Sequence, residues 1–252
     1  TDLIALPAQH FERYQRLART SAGTCSVYGF NRSASSTFRE ISASCSPLGR
    51  GNMPRSSSVI WTRNEAARNM SNAWTRRLLG DVSYVEMNEL ATNVDAGSDG
   101  LSVLPFGNGA ERVLNNKNMG AHVVGLDFNR HDRGHLCRAV QEGIVFSFMY
   151  GMEIMADTGM PIHTIRAGDA NMFMSPIFSQ SLANISAAQI ELYDTDGALG
   201  AARGAGVGAG LYESLEQAFS TLEKKQIIEP DGTNLNEAYG RWKNTVEKAI
   251  ET

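Results

Sequence analysis

No lysine occurs among the first 80 residues of this 252-residue chain, where 11 arginines face 4 acidic residues. The other 172 residues reverse the balance, with 12 basic and 23 acidic side chains, so a formal charge of −4 conceals halves of about +7 and −11. Cysteine is scarce. Cys25, Cys45 and Cys137 cannot all pair with one another and lack zinc-ligand spacing. They read as free thiols of a reducing compartment, which excludes a disulfide framework. Aromatic residues make up only 8%. The basic, Ser-rich N-terminal part therefore lacks the interleaved rings that stack on bases, and no nucleic-acid partner is expected. No apolar run is long enough to span a bilayer, and the first residues show no charged-then-apolar signal pattern. A cytoplasmic protein without a membrane partner is expected. No solenoid-type repeat is present.

What is present is a 42% hydrophobic chain, long enough for one large α/β domain or two small ones. Residues 21–30 alternate small and apolar side chains and read as strand–turn–strand. Residues 31–63, rich in Ser, Arg, Gly and Pro, read as loop and irregular strand. Helices are expected over 64–79 and 84–92, and a strand over 101–106 stopped by Gly107 and Gly109. The clearest helix follows Asn129 and Arg130. In it Leu136, Val140, Gly143, Ser147, Gly151 and Ile154 form a small-residue stripe widened by Ile144, Phe148 and Met155, so it should be central and buried. Then come a strand at 162–166, a turn at Gly168 and Asp169, a helix at 175–185, a strand at 190–193, a Gly/Ala helix at 197–211 and a polar helix at 237–250. Strands alternating with helices argue α/β.

The glycines of GALGAARGAGVGAG, residues 197–210, continue through about four helical turns. A dinucleotide loop needs a strand, then glycines opening a helix, then an acid at the end of the next strand; these glycines suit close helix packing instead. The run RAGDAN, Arg166–Asn171, follows an apolar strand and precedes a helix. Glycine there admits close backbone approach, and helix N-terminal amides favour an anion or polar base. His131 and His135 are four apart, but no Glu sits between them as in a zinc-protease helix, so no metal site is assigned. His135, with Asp132 or Glu142 as a partner, looks catalytic by residue type alone.

The stretches GSDGLSVLPFGNGAER (97–112) and RAGDANMFMSPIFSQSLAN (166–184), with AHVVGL, eight residues, then HLCRAVQE (121–142), resemble the C-terminal domain of the FGGY carbohydrate kinases, most closely xylulokinases. The likeness is strong over 84–229 and faint before Trp74, with residues 1–70 poorly matched. It implies an actin-like, ribonuclease H-like lobe of the hexokinase–actin superfamily, with a mixed sheet flanked by helices, spanning residues 1–252. It implies an ATP-binding lobe of a kinase that transfers the γ-phosphate to a ketose, D-xylulose, giving xylulose 5-phosphate. A non-catalytic nucleotide- or partner-binding relative is the alternative. Ala167, Gly168, Asp169 and Asn171 match the turn against which adenosine packs, with Ala167 where the family has a second glycine. Trp74 matches a residue bordering the adenine pocket, although Asn69 replaces a glycine nearby. Gly23 and Thr24 match a hairpin that wraps the phosphates, where Cys25 and Ser26 replace Ser and Gly. Gln141 stands where an apolar residue is expected. Catalytic residues are expected elsewhere: Pro7, Ala8 and Gln9 offer no carboxylate base. Mg²⁺ and the sugar are expected at the interface with an N-terminal lobe outside these residues, and the chain alone is expected to be incomplete and inactive. A homodimer is compatible with this reading.

Overall fold

The computed structural model describes residues 58–59, 65–109, 111–114, 116–157 and 162–251. Gly23, Thr24, Cys25, Cys45, the 21–30 hairpin and residues 7–9 lie outside them. The order is β1 (Ser58–Val59), α1 (Glu65–Leu78), α2 (Tyr84–Thr92), β2 (Ser102–Phe106), β3 (Gly120–Val124), α3 (Arg133–Asp157), β4 (Thr164–Gly168), α4 (Pro176–Ser186), β5 (Gln189–Tyr193), α5 (Gly197–Gly208), α6 (Leu215–Phe219), β6 (Lys224–Ile228) and α7 (Asn236–Glu251). Among the described residues, one sheet runs β1–β4–β5–β6. It is parallel from β1 to β5 and antiparallel at β6, and β2 and β3 form a separate antiparallel hairpin. The expected mixed sheet flanked by helices is present.

Helix α3 is the spine, packed against α1, α2, α4, α7 and β2. Its small-residue stripe has a definite cause. A Cβ on Gly143 would overlap the Val103 carbonyl oxygen, so helix and strand backbones touch there and only glycine fits. Residues 139–148 are buried without a break. Ile154, placed on the stripe by periodicity, is 45% exposed because the helix runs past the core before residue 157.

Alternation divides the main sheet into two faces. Ile165, Ala167, Ile190 and Leu192 point into the core with Phe178, Leu182 and Ala183 of α4. Helix α7, expected to be polar, buries Tyr239, Trp242 and Val246. The Trp242 indole N–H donates to the Val103 carbonyl at 2.9 Å, which satisfies the one polar atom of a fully buried ring.

Strands β3 and β6 and helix α6 were not expected. In β3 the three central residues are exposed, and β6 begins Lys-Lys-Gln, so neither carries the apolar alternation of a half-buried strand.

Candidate functional site

Parallel strands β4 and β5 end side by side at Gly168 and Tyr193, which are register partners. In open α/β sheets ligands bind outside such carboxyl ends. The turn that follows is tightly bonded. The amides of Asp169 and Thr195 both donate to the Tyr193 carbonyl, at 2.8 and 2.7 Å, and the Ala170 amide donates to the Gly168 carbonyl at 2.8 Å. Asn171 takes a left-handed conformation with φ 55°. Asn tolerates this better than other non-glycine residues because its short polar side chain bonds locally.

The structure brings the four sequence-predicted residues of this turn together but gives them different tasks. Ala167 is buried and turns its methyl into the core, so only its backbone faces outward. Gly168 is required for packing: a Cβ there would overlap the Thr195 carbonyl oxygen, so protein backbone already fills the side expected to admit a ligand. The Asp169 carboxylate lies 3.7 Å from Lys225 Nζ, which is paired more closely with Asp194 at 2.9 Å. Asn171 is exposed.

The expected helix start is set back from the turn. Residues Asn171–Met174 form a short 3₁₀ turn, and α4 begins only at Pro176. Its first turn is capped by buried Ser175, whose Oγ accepts from the Phe178 amide at 3.4 Å.

Ser175 also explains Gln141. Its hydroxyl donates to Gln141 Oε1 at 2.6 Å, and Gln141 Nε2 donates to Asn88 Oδ1 at 3.1 Å. These links tie α4 to α3 and α2 beneath the turn. The polar residue in an apolar helix is fully paired, as burial demands.

Helix α1 borders the turn on another side. Asn72 Nδ2 approaches Met172 Sδ at 3.6 Å. Trp74 is 47% exposed on the outer face of α1, in line with Met70 and Leu78. Asn72 and Lys225 carried no local sequence signal, since their neighbours Met172, Asp169 and Asp194 are distant in sequence.

Beside the turn, the outer sheet face carries an ionic cluster. Glu191, 7% exposed, accepts from Arg166 Nε and the Tyr193 hydroxyl at 2.7 and 2.8 Å, and also from Lys224. Burial raises its carboxyl, but donation from Lys224, Arg166 and Tyr193 outweighs this and brings it down to about 2. Arg166 and Glu191 are register partners on β4 and β5.

The remaining sequence candidates are structural. Asp132 Oδ1 accepts from the Gly134 and His135 amides at 2.8 and 3.1 Å, and His135 Nδ1 lies 2.8 Å away. It caps α3. Glu142, 2% exposed, accepts from the Gly97 amide, the Ser98 hydroxyl and Arg138 at 3.0, 3.1 and 2.8 Å. It fixes the run Gly97–Gly100, in which every residue has positive φ. Burial pushes the Cys137 thiol up to about 11, which makes it inert. Among the described residues no group of three His, Cys, Asp or Glu could hold a metal ion, and no helix is long and apolar enough to cross a membrane.

The chain is similar to several known proteins. The xylulose kinase of Haemophilus influenzae is 31% identical over 183 residues, covering 68% of this chain and 36% of that protein. The glycerol kinase of Haloferax volcanii is 27% identical over 170 residues, covering 66% and 33%. The crystal structure of xylulose kinase from Rhodospirillum rubrum superposes with TM-score 0.60 at 22% identity, over 76% of this chain and 40% of that one, and shares the fold. The chain thus spans about a third of the length of the curated relatives it matches. Residues 18–209 match the C-terminal domain of the FGGY family of carbohydrate kinases, and the chain belongs to that family.

Proposed function

We propose that this chain is the nucleotide-binding lobe of an ATP-dependent sugar kinase. One observation carries the reading. At the carboxyl ends of parallel strands β4 and β5, a tightly bonded backbone turn ends in the exposed amide of Asn171, and α1 borders the turn through Asn72 and Met172. An exposed turn with a single side-chain amide suits a nucleoside better than a sugar, which needs a dense set of hydroxyl partners.

In this reading ATP binds with adenosine against Ala167–Asn171, and its γ-phosphoryl passes to a ketose, D-xylulose, held by a second lobe. The likeness to a xylulose kinase supports the ketose; the likeness to a glycerol kinase favours glycerol as the other acceptor. Phosphoryl transfer rests on positioning and charge stabilisation, and this lobe contributes positioning of the nucleotide. Mg²⁺ neutralises charge on the phosphates when it is bound. The described residues do not fit a protein-held Mg²⁺: Asp169 and Asp194 are engaged by Lys225. Mg²⁺ would come with the phosphates and with ligands outside these residues, and no step is assigned to it here. Such an enzyme works in the cytoplasm, where ATP is abundant.

The test is calorimetric titration of the 252-residue chain with ATP, ADP and AMP. Binding that weakens about tenfold or more in Asn171→Gly, which keeps the left-handed conformation but removes the amide, supports the reading. Absence of binding by all three nucleotides refutes it.

A further inference from the structure

Hairpin β2–β3 has an open edge. Among the described residues β3 pairs with β2 alone, and Ala121, His122 and Val123 are exposed. The pairing decides which backbone groups reach that edge. Pro105 stands opposite Ala121 and has no N–H, so this pair cannot exchange two hydrogen bonds. The carbonyls of Val103 and Pro105 point away from β3, accepting from the Trp242 indole at 2.9 Å and the Ser71 hydroxyl at 3.5 Å. The bonded pairs of the hairpin are therefore Leu104 with His122 and Phe106 with Gly120. Ala121 and Val123 turn their N–H and C=O groups outward. Such an edge is a template for another strand, and folded proteins commonly blunt it with charge. Edge strand β6 does so with Lys224 and Lys225. Residues 118–126, NMGAHVVGL, hold no acid, lysine, arginine or proline, and Val123, Leu126 and Phe128 are exposed on this strand or just after it.

We propose that β3 pairs with β3 of a second copy of this chain, antiparallel about a two-fold axis at His122. The proposal does not rest on the nucleotide reading. An axis at His122 sets Ala121 against the partner's Val123, and Val123 against the partner's Ala121. These are the residues with outward groups, so four interstrand hydrogen bonds close and the two hairpins become one four-stranded sheet. An axis at Ala121 or at Val123 would bond only one such pair within the strand. Charge agrees with the His122 register. Lys117 precedes the strand and Asp127 follows it, each about five residues from His122. Antiparallel pairing therefore brings each Lys117 to the end of the strand where the partner's Asp127 lies. A second copy supplies donors, acceptors and opposite charges in matching order, which a self-complementary interface requires.

The experiment is sedimentation velocity on the 252-residue chain from about 1 to about 100 μM, the range for a small interface. Wild type should show a species of twice 27.4 kDa that grows with concentration. Val123→Pro removes two of the four interface donors and none that the hairpin uses. It should raise the dimer dissociation constant about tenfold or more at unchanged far-ultraviolet circular dichroism. His122→Glu sets two carboxylates opposite one another at the axis and should raise it about fivefold or more, as should His122→Lys with two ammonium groups. Mixing the two charge variants should restore the dimer, because Glu then stands against Lys. That exchange keeps the proposal testable if the proline variant does not fold. A wild-type chain that stays monomeric throughout the range overturns the proposal and would mean that another chain or lobe covers β3. A dimer indifferent to all three substitutions overturns it as well. So do dimers lost in both charge variants and not regained on mixing, since the axis then does not pass through His122.

Discussion

Gly168 and Thr195 meet backbone to backbone, so that a Cβ on Gly168 would overlap the Thr195 carbonyl oxygen. The loops leaving β4 and β5 are thereby locked together at the strand ends, and the candidate nucleotide turn inherits its position from that contact. Gly168→Ala should force the two loops apart and cost about 1–3 kcal/mol, the range for overpacking a closed site. Urea denaturation measures it. Nucleotide affinity should fall in the same variant. Asn171→Gly separates binding from folding: Asn171 is exposed and left-handed, so its stability should stay within about 0.5 kcal/mol of wild type. Equal stability of Gly168→Ala and wild type would show that the turn is not held by this contact.

Glu191 and its three donors make stability depend on acid. The folded-state carboxyl lies at about 2, below its ordinary value of 4.5. A depressed carboxyl contributes stability fully above the unfolded value and loses it as pH falls through the folded one. The window is therefore pH 4.5 down to about 2. Glu191→Gln should lose ~2–3 kcal/mol at pH 7, since the carboxylate to which Arg166 and Lys224 donate is replaced by a neutral amide. That difference should close as the pH is lowered through the window. Denaturant midpoints measured for both proteins from pH 7 to pH 2 check this, and parallel curves would show that Glu191 is not the group responsible.

The Ser175 hydroxyl serves both as the cap of α4 and as the partner of Gln141. Ser175→Ala should cost about 2–3 kcal/mol, combining a lost cap with an orphaned Gln141 oxygen. Gln141→Leu alone should cost less, because the Ser175 hydroxyl can turn to Asn88 Oδ1 at 3.1 Å. Ser175→Ala with Gln141→Leu should be more stable than the sum of the single changes, since no buried acceptor is then left open on Gln141. Additive costs would mean that the pair is not coupled.

The sequence was most readable where a period or a turn signal decides the structure. Helix α3 was visible in its small-residue stripe, α4 in the Ser-Pro start at Ser175 and Pro176, and β5 in a short apolar run between turn residues. Strand β6 was not, because Lys224, Lys225 and Gln226 look like a surface loop, and only backbone pairing with β5 makes them a strand. The site divides in the same way. Local pattern located the Gly168–Asn171 turn. It could not say that Gly168 answers to Thr195, that Gln141 answers to Ser175 and Asn88, or that Asn72 lies against Met172. Each of those reasons is a contact between residues 27 to 100 positions apart, and no periodicity of one segment records its partner in another.

The 252-residue chain by itself should bind ATP and yet transfer no phosphate to D-xylulose. Among the family likenesses, the position of the carboxylate base falls at Pro7–Gln9, where no carboxylate stands. A general base contributes about 10²–10⁴-fold to such a step. The sugar site is proposed to lie on a second lobe, and the match here is to the C-terminal domain alone. Without that site the acceptor hydroxyl must arrive from solution, forfeiting an effective molarity on the order of 10⁵ M or more. The two losses multiply, and turnover drops below detection. The proposed adenosine contacts lie on the turn at Ala167–Asn171, so affinity for ATP should not share that loss. A coupled assay of ADP release with D-xylulose, and in parallel with glycerol, measures the first quantity, and calorimetry with ATP measures the second. Sugar-dependent ADP release at about 1 s⁻¹ or faster, the ordinary range for kinases, would show that this chain carries its own acceptor site and base.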